Sequence, residues 1–254
     1  MSLTIYKSLA AIIIFLASLT AVIYPLKVRA VPTHNQFLEM CDALASGIFL
    51  GAALFHMLPF AMSSFTEVLG PSKYPLAEFF CAGGFLLLLF FERISGNFSD
   101  EHHQNIVPYV IALIIILHSL IEGTVLGVYT TLSAAAIIFL AIIAHKSSES
   151  FALAVILNRS NLSRGHIITL VGVFLVMTPF GIALGDTLTM FLQFKSVQLV
   201  TAGFNAFAAG TFLYMSTLHH INHHQREHHG EGLLEFLSLL VGMVLMGAIA
   251  VWEP

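Results

Sequence analysis

The chain alternates long apolar runs with short polar breaks, and the length of the runs decides the class of structure. A helix needs roughly 20 mostly apolar residues to cross a hydrocarbon core of about 30 Å. Eight stretches meet that need, at approximately 6–26, 38–62, 76–95, 107–129, 133–157, 166–192, 197–220 and 232–252. The breaks hold Pro25 and Pro32, then Gly70, Pro71 and Pro75, then the run from Asn97 to Pro108, then Asn158 to Gly165, then a histidine run before Gly232. These are residues that interrupt helices or need water. The predicted fold class is an all-α integral membrane bundle of eight transmembrane helices. It is a single transmembrane domain over 1–254 with polar loops at 96–106 and 219–231 and no room for a soluble module.

Composition agrees, since 57% of residues are hydrophobic, only 9% are charged and the mean hydropathy is +0.89. A water-soluble domain carries about a quarter charged residues. The net charge of -4 is spread over loops, and no basic stripe exists to recruit nucleic acid. Cys41 and Cys81 lie inside apolar stretches and form neither a CxxC site nor a disulfide framework, so packing is their expected role. Leu9 to Tyr24 has the apolar character of a secretory signal. No small-x-small cleavage site follows it, and Pro25, Lys27 and Arg29 suit a retained first span.

Lys and Arg accumulate in cytoplasmic loops. Connections after spans 1, 3, 5 and 7 hold Lys27, Arg29, Arg93, Arg159, Arg164 and Arg226, against Lys7, Lys73 and Lys195 on the other side. That bias puts both termini on the outer side and both polar loops in the cytoplasm. Lys146 belongs to neither set because it falls inside span 5.

Spans 4 and 5 carry the chemistry. Span 4 contains His118 and Glu122 near its centre, and span 5 contains His145 and Glu149 near its own. Residues four apart lie on one helix face, one turn apart. Antiparallel neighbours joined by the short connection Thr130 to Ser133 bring two imidazoles and two carboxylates to one depth. Nitrogen and carboxylate oxygen together suit zinc and other first-row divalent ions, and two carboxylates balance a dication where the dielectric is low. The competing reading is that these groups hold helices together by hydrogen bonds. Ionised Glu122, Glu149 and Lys146 would cost on the order of 8–10 kcal/mol if they faced lipid, and Ser or Asn could hold helices together more cheaply.

With these residues in view, the sequence resembles the ZIP metal-transporter family. The family's fourth-helix His-[Asn/Ser]-x-x-Glu-Gly pattern is matched by His118-Ser119-Leu120-Ile121-Glu122-Gly123, and its fifth-helix His-x-x-x-Glu pattern by His145-Lys146-Ser147-Ser148-Glu149. The stretches GIFLGAALFHMLPFA, TPFGIALG and GTFLY are further matches. The resemblance implies transport of divalent metal toward the cytoplasm. The substrate is Zn2+ first, with Fe2+, Mn2+ or Cd2+ as alternatives, and no prosthetic group is implied. Many such proteins hold a second ion through residues beside the two histidines. Here those neighbours are Ser119 and Lys146, and a protonated lysine repels a dication rather than binding it. The expectation is one transport site with a built-in cation beside it, as in the subgroup with a His-Lys pair on the fifth helix.

Other candidates lie away from the centre. His219, His220, His223, His224, His228 and His229 crowd the last polar loop, and His102 and His103 sit in the loop after span 3. Mobile imidazoles bind divalent ions weakly and in many geometries, which suits collecting metal on the cytoplasmic side. His56 and Asp186 are candidates for an entrance path. Gly123 and Gly127 are read as packing residues, and Pro59 and Pro179 as candidate helix breaks. The expected partners are divalent ions and the lipid bilayer, with a homodimer left open, in a plasma or bacterial inner membrane. Two other functions fit less well. An intramembrane zinc hydrolase would usually carry HExxH when it is a protease, and this chain lacks that motif. A metal sensor would bind without flux.

Overall fold

A computed structural model describes residues 2–27, 36–97, 106–160, 162–188, 194–219 and 232–251. Among these residues every regular element is helical, and the helices coincide with the eight apolar runs. They are α1 (Leu3–Lys27), α2 (Gln36–Gly51, continuing through Ala52–Met57 and Leu58–Leu69), α3 (Leu76–Asn97) and α4 (Ile106–Val128), followed by α5 (Leu132–Arg159), α6 (Arg164–Leu188), α7 (Phe194–Tyr214, continuing through Met215–His219) and α8 (Gly232–Ala250). All but α3 are long and apolar enough by themselves to cross a membrane. In α3 the apolar stretch is bounded by Glu78 at one end and Glu92 with Arg93 at the other. Many large apolar side chains face outward, among them Phe79, Leu86, Phe90, Leu140 and Val200. In water such a surface would aggregate, whereas in lipid it is the expected exterior. The protein is an integral membrane helical bundle.

The local sequence explains the helix boundaries. Gly70 takes φ of +82°, a conformation that side chains with a Cβ resist, and so ends α2 just before Pro71. Thr131 caps α5 by accepting from the Ala134 amide, so that only residues 129–131 join α4 to α5. The antiparallel hairpin expected from the sequence is thus tight. In α2, Pro59 has no N–H to give to the carbonyl four residues back. The preceding turn, Ala52–Met57, widens to a π-helix in which the Leu58 amide donates to the Ala53 carbonyl. Pro179, by contrast, sits within an uninterrupted α6. Both cysteines are free and buried in the core.

The packing divides the helices into two sets. α1, α4, α5 and α6 pack on one another, as do α2, α3, α7 and α8, and the sets meet where α2 lies on α5 and α4 on α7. Glycine sets the closest crossings. A methyl group on Gly123, Gly127, Gly181 or Gly185 would strike the Thr178, Ile182, Leu120 or Thr124 carbonyl, respectively, across the α4–α6 contact. Gly47 and Gly242 do the same for α2 and α8, and Gly84 and Gly210 for α3 and α7. Lipid chains are as apolar as leucine, so hydrophobicity cannot draw these helices together. Close backbone packing is what remains. The reading of Gly123 and Gly127 as packing residues agrees with this geometry.

Gly185→Ala is therefore expected to destabilise the bundle by about 1–3 kcal/mol through overpacking and to lower its thermal unfolding midpoint in detergent. Gly172, on the same helix but with open space where a methyl group would sit, should tolerate alanine. Equal midpoints for the two variants would contradict the close-packing argument.

Candidate metal centre

His118 and Glu122 project from the middle of α4, and His145, Lys146 and Glu149 from the middle of α5. All five are buried, with between 1% and 8% of their surface exposed. So deep in the bundle, the charged groups are answered mainly by one another. The Glu122 carboxylate does this for three neighbours. Its Oε1 lies 2.6 Å from His145 Nε2 and 3.0 Å from His118 Nε2, while its Oε2 accepts from Lys146 Nζ at 3.2 Å. Lys146 also donates to Glu149 Oε2 and to Ser119 Oγ, both at 2.7 Å. Its three protons thus meet three acceptors, and the ring of Phe174 lies 4.8 Å from the ammonium. Lys146 does not reach toward solvent.

Two polar atoms of the cluster have no hydrogen-bond partner, His118 Nδ1 and Glu149 Oε1. The latter is 4.0 Å from His118 Nε2. Buried polar atoms are rarely left so, and an imidazole nitrogen and a carboxylate oxygen are of the kinds that can hold a metal ion. The donor atoms fall into two groups, each with all members within 4.8 Å of one another. One is His118, Glu122 and Glu149, and the other is His56, Glu122 and His145.

His56 joins the centre through the π-turn of α2. Its ring centroid is 4.5 Å from that of His145, with the planes tilted by 39°. Together with Glu122 and His145 it lines a cavity of about 330 Å³ whose walls include Ser63, Thr201 and Asn205. The cavity is bordered by the C-terminal parts of α2, α4 and α8 and the N-terminal part of α5, so it opens toward the end of the bundle where α1 begins. On the other side of the cluster is a void of only about 10 Å³ beneath Ile48, Phe49, Phe212 and Met246, barely the volume of one water. Phe49 and Phe212 close it edge to face, with centroids 4.5 Å apart. Past that plug, Arg159 pairs with Asp42 at 2.8 Å and joins α5 to α2.

Asp186 stands apart from the centre. It is bound to Lys7 at 2.5 Å, and Lys7 also donates to the Gly127 carbonyl at the end of α4. Lys7 counts as a loop charge when the sequence is read in isolation, but in the structure it is only 4% exposed and ties α1 to α4 and α6. No spacing signal could have found a pair 179 residues apart. Thr201 and Asn205, which place polar atoms on the cavity wall, were likewise invisible as ordinary polar residues of an apolar span. His102, His103, His220, His223, His224, His228 and His229 lie outside the described residues, and His219 is described only as the last backbone position of α7.

The family described as ZIP Zinc transporter matches over residues 4–105 and 97–250. Zinc transporter ZIP1 of Takifugu rubripes is 30% identical over 262 residues, covering 86% of each chain. Zinc transporter 1 of Oryza sativa subsp. japonica is 25% identical and covers 87% of this chain and 76% of its own. Zinc transporter 11 of Arabidopsis thaliana, 25% identical, covers 99% of this chain and 86% of its own. With matches running through nearly every helix, the chain belongs to the ZIP zinc transporter family and is a transporter of divalent metal rather than an enzyme.

Proposed function

We propose that the protein carries zinc toward the cytoplasm by alternating access around a single central transport site, with His118, Glu122, His145 and Glu149 as its ligands. The observation that carries this reading is the convergence of two imidazoles and two carboxylates at one depth, beneath a cavity on one side and against an aromatic plug on the other. By the lysine and arginine distribution the open side is the outer one, so both termini are outside and this conformation faces outward. A hydrated ion entering the cavity exchanges water for protein ligands. Rocking of the surrounding helices then closes the cavity and parts Phe49 from Phe212. The same ligand set suits Fe2+, Mn2+ and Cd2+. Released metal passes to the histidine-rich loop at 219–231, and the membrane is a plasma or bacterial inner membrane.

Lys146 is the resident cation of the centre in this reading. With both carboxylates ionised and both histidines neutral, the cluster holds one net negative charge when Lys146 is counted. That is enough to attract one dication and too little for two. Lys146 and Ser119 fill the ground where a second ion would need ligands. His56 is the entrance ligand, while Asp186 is engaged by Lys7 and serves the outer ends of α1, α4 and α6.

Zinc uptake into proteoliposomes containing a chelating dye is expected for the wild type and should collapse in His145→Ala and Glu149→Ala. Binding without flux in the wild type would instead point to a sensor, and release of a lipid product to a hydrolase. Lys146→Asn is expected to raise the number of zinc ions bound at saturation from one to two and to alter the pH dependence of uptake. If both quantities stayed at wild-type values, the resident-cation reading would be lost.

A further inference from the structure

At the end of the bundle away from the metal cavity, the last turns of α1 and α5 and the first turns of α6 border a larger cleft of about 590 Å³. The charges along it are all of one sign. Lys27, Arg159 and Arg164 line it, and no acidic side chain does. Asp42 of α2 takes one guanidinium nitrogen of Arg159 at 2.8 Å, but an arginine carries five N–H donors, so most of the fork stays available. Lys27 and Arg164 have no ion-pair partner among the described residues. Apolar residues make up much of the remaining wall, among them Ile23 and Leu26 from α1 and Ile168 from α6. Ile23 and Ile168 are 41% and 55% exposed, on the surface that lipid covers. At the edge of the cleft Asn158 of α5 donates to the Pro25 carbonyl of α1 at 3.0 Å, which ties two of the three helix ends before any ligand arrives.

Cations at helix ends on the cytoplasmic side are common, and they ordinarily extend one by one to headgroups or water. Here three of them share one depression with an apolar wall, which fits a ligand with an anionic head and a hydrocarbon tail. A free anion would leave the apolar wall empty, and a neutral lipid would leave the three charges unanswered. From this convergence we infer that the cleft binds one anionic phospholipid, its phosphate among Lys27, Arg159 and Arg164 and an acyl chain along Ile23 and Ile168. Guanidinium groups take phosphate oxygens in pairs, and lysine adds a compact charge. Basic pockets between transmembrane helices suit such headgroups. On the orientation proposed above the cleft opens to the cytoplasmic leaflet, where anionic lipid is concentrated. A lipid held there joins the ends of α1, α5 and α6 and so stabilises the folded bundle.

The test uses the full chain in detergent, with retained lipids counted by native mass spectrometry and affinities taken from titration with phosphatidylglycerol, phosphatidylcholine or inorganic phosphate. Wild type is expected to hold one phosphatidylglycerol and to bind phosphatidylcholine at least about tenfold more weakly. Lys27→Gln with Arg164→Gln, which leaves Arg159 on Asp42, should lower the affinity for phosphatidylglycerol by about tenfold or more. Lys73→Gln with Lys195→Gln removes the same charge from exposed positions at the opposite end and should leave that affinity unchanged. Phosphatidylglycerol should also raise the thermal unfolding midpoint of the wild type and not that of the cleft variant. Equal affinity of the wild type for the two lipids overturns the site by itself, even if the cleft variant does not fold. Equal losses in the two variant pairs overturn it as well, and displacement of phosphatidylglycerol by an equal concentration of inorganic phosphate would make the cleft a site for free anions instead. Binding is read on the solubilised chain without flux, so a failure of zinc uptake would remove the transport reading and leave this result standing.

Discussion

The Glu122 carboxylate is the constraint around which the rest of this structure is arranged. An ionised carboxylate at mid-membrane is tolerable only when other side chains replace water on every lone pair in use. Two histidines share one of its oxygens and Lys146 takes the other. That requirement draws α4 and α5 together at their centres, orients His118 and His145 toward a common point, and fixes Lys146 where its ammonium also reaches Glu149 and Ser119. A membrane protein could build helix contacts from far less costly groups, and the concentration of charge in one buried cluster is of the kind that suits a cation.

The helices that carry the cluster are held in place by contacts of two kinds. The α4–α6 crossing, where four glycines allow backbone against backbone, and the tie from Lys7 to Asp186 and the Gly127 carbonyl give α4 a firm seat. α5 is held at its far end by Arg159 on Asp42. These contacts differ in kind. Glycine packing joins helices within a set and is insensitive to charge, whereas the Arg159–Asp42 pair bridges the two sets and sits at the end away from the cavity. The π-turn before Pro59 has the opposite effect to a rigid seat, since it departs from regular α-helix where His56 meets His145.

Family membership and geometry bear on different questions. Similarity to zinc transporters over most of the chain separates a transporter from a hydrolase, which the ligand set could not do, because histidine and carboxylate serve both. The arrangement of cavity, cluster and aromatic plug bears on the proposed path of the ion, and the Lys146 ammonium held by both carboxylates bears on the proposed single site.

By itself the sequence determined the membrane class, the eight helices, the antiparallel α4–α5 hairpin and the two His-x-x-x-Glu faces. Each of these depends on local periodicity, apolar length or turn chemistry that is written within a few dozen consecutive residues. The glycine spacing of α4 was legible as packing for the same reason, although its partner helix was not. Only the tertiary structure decided that Lys146 points into the cluster, that Lys7 and Asp186 answer each other, that His56 stands beside His145, and that Phe49 and Phe212 seal one side. Those contacts join residues far apart in the chain. Their energy depends on which helices become neighbours, and in lipid that choice is made by close backbone packing and by the satisfaction of buried charge.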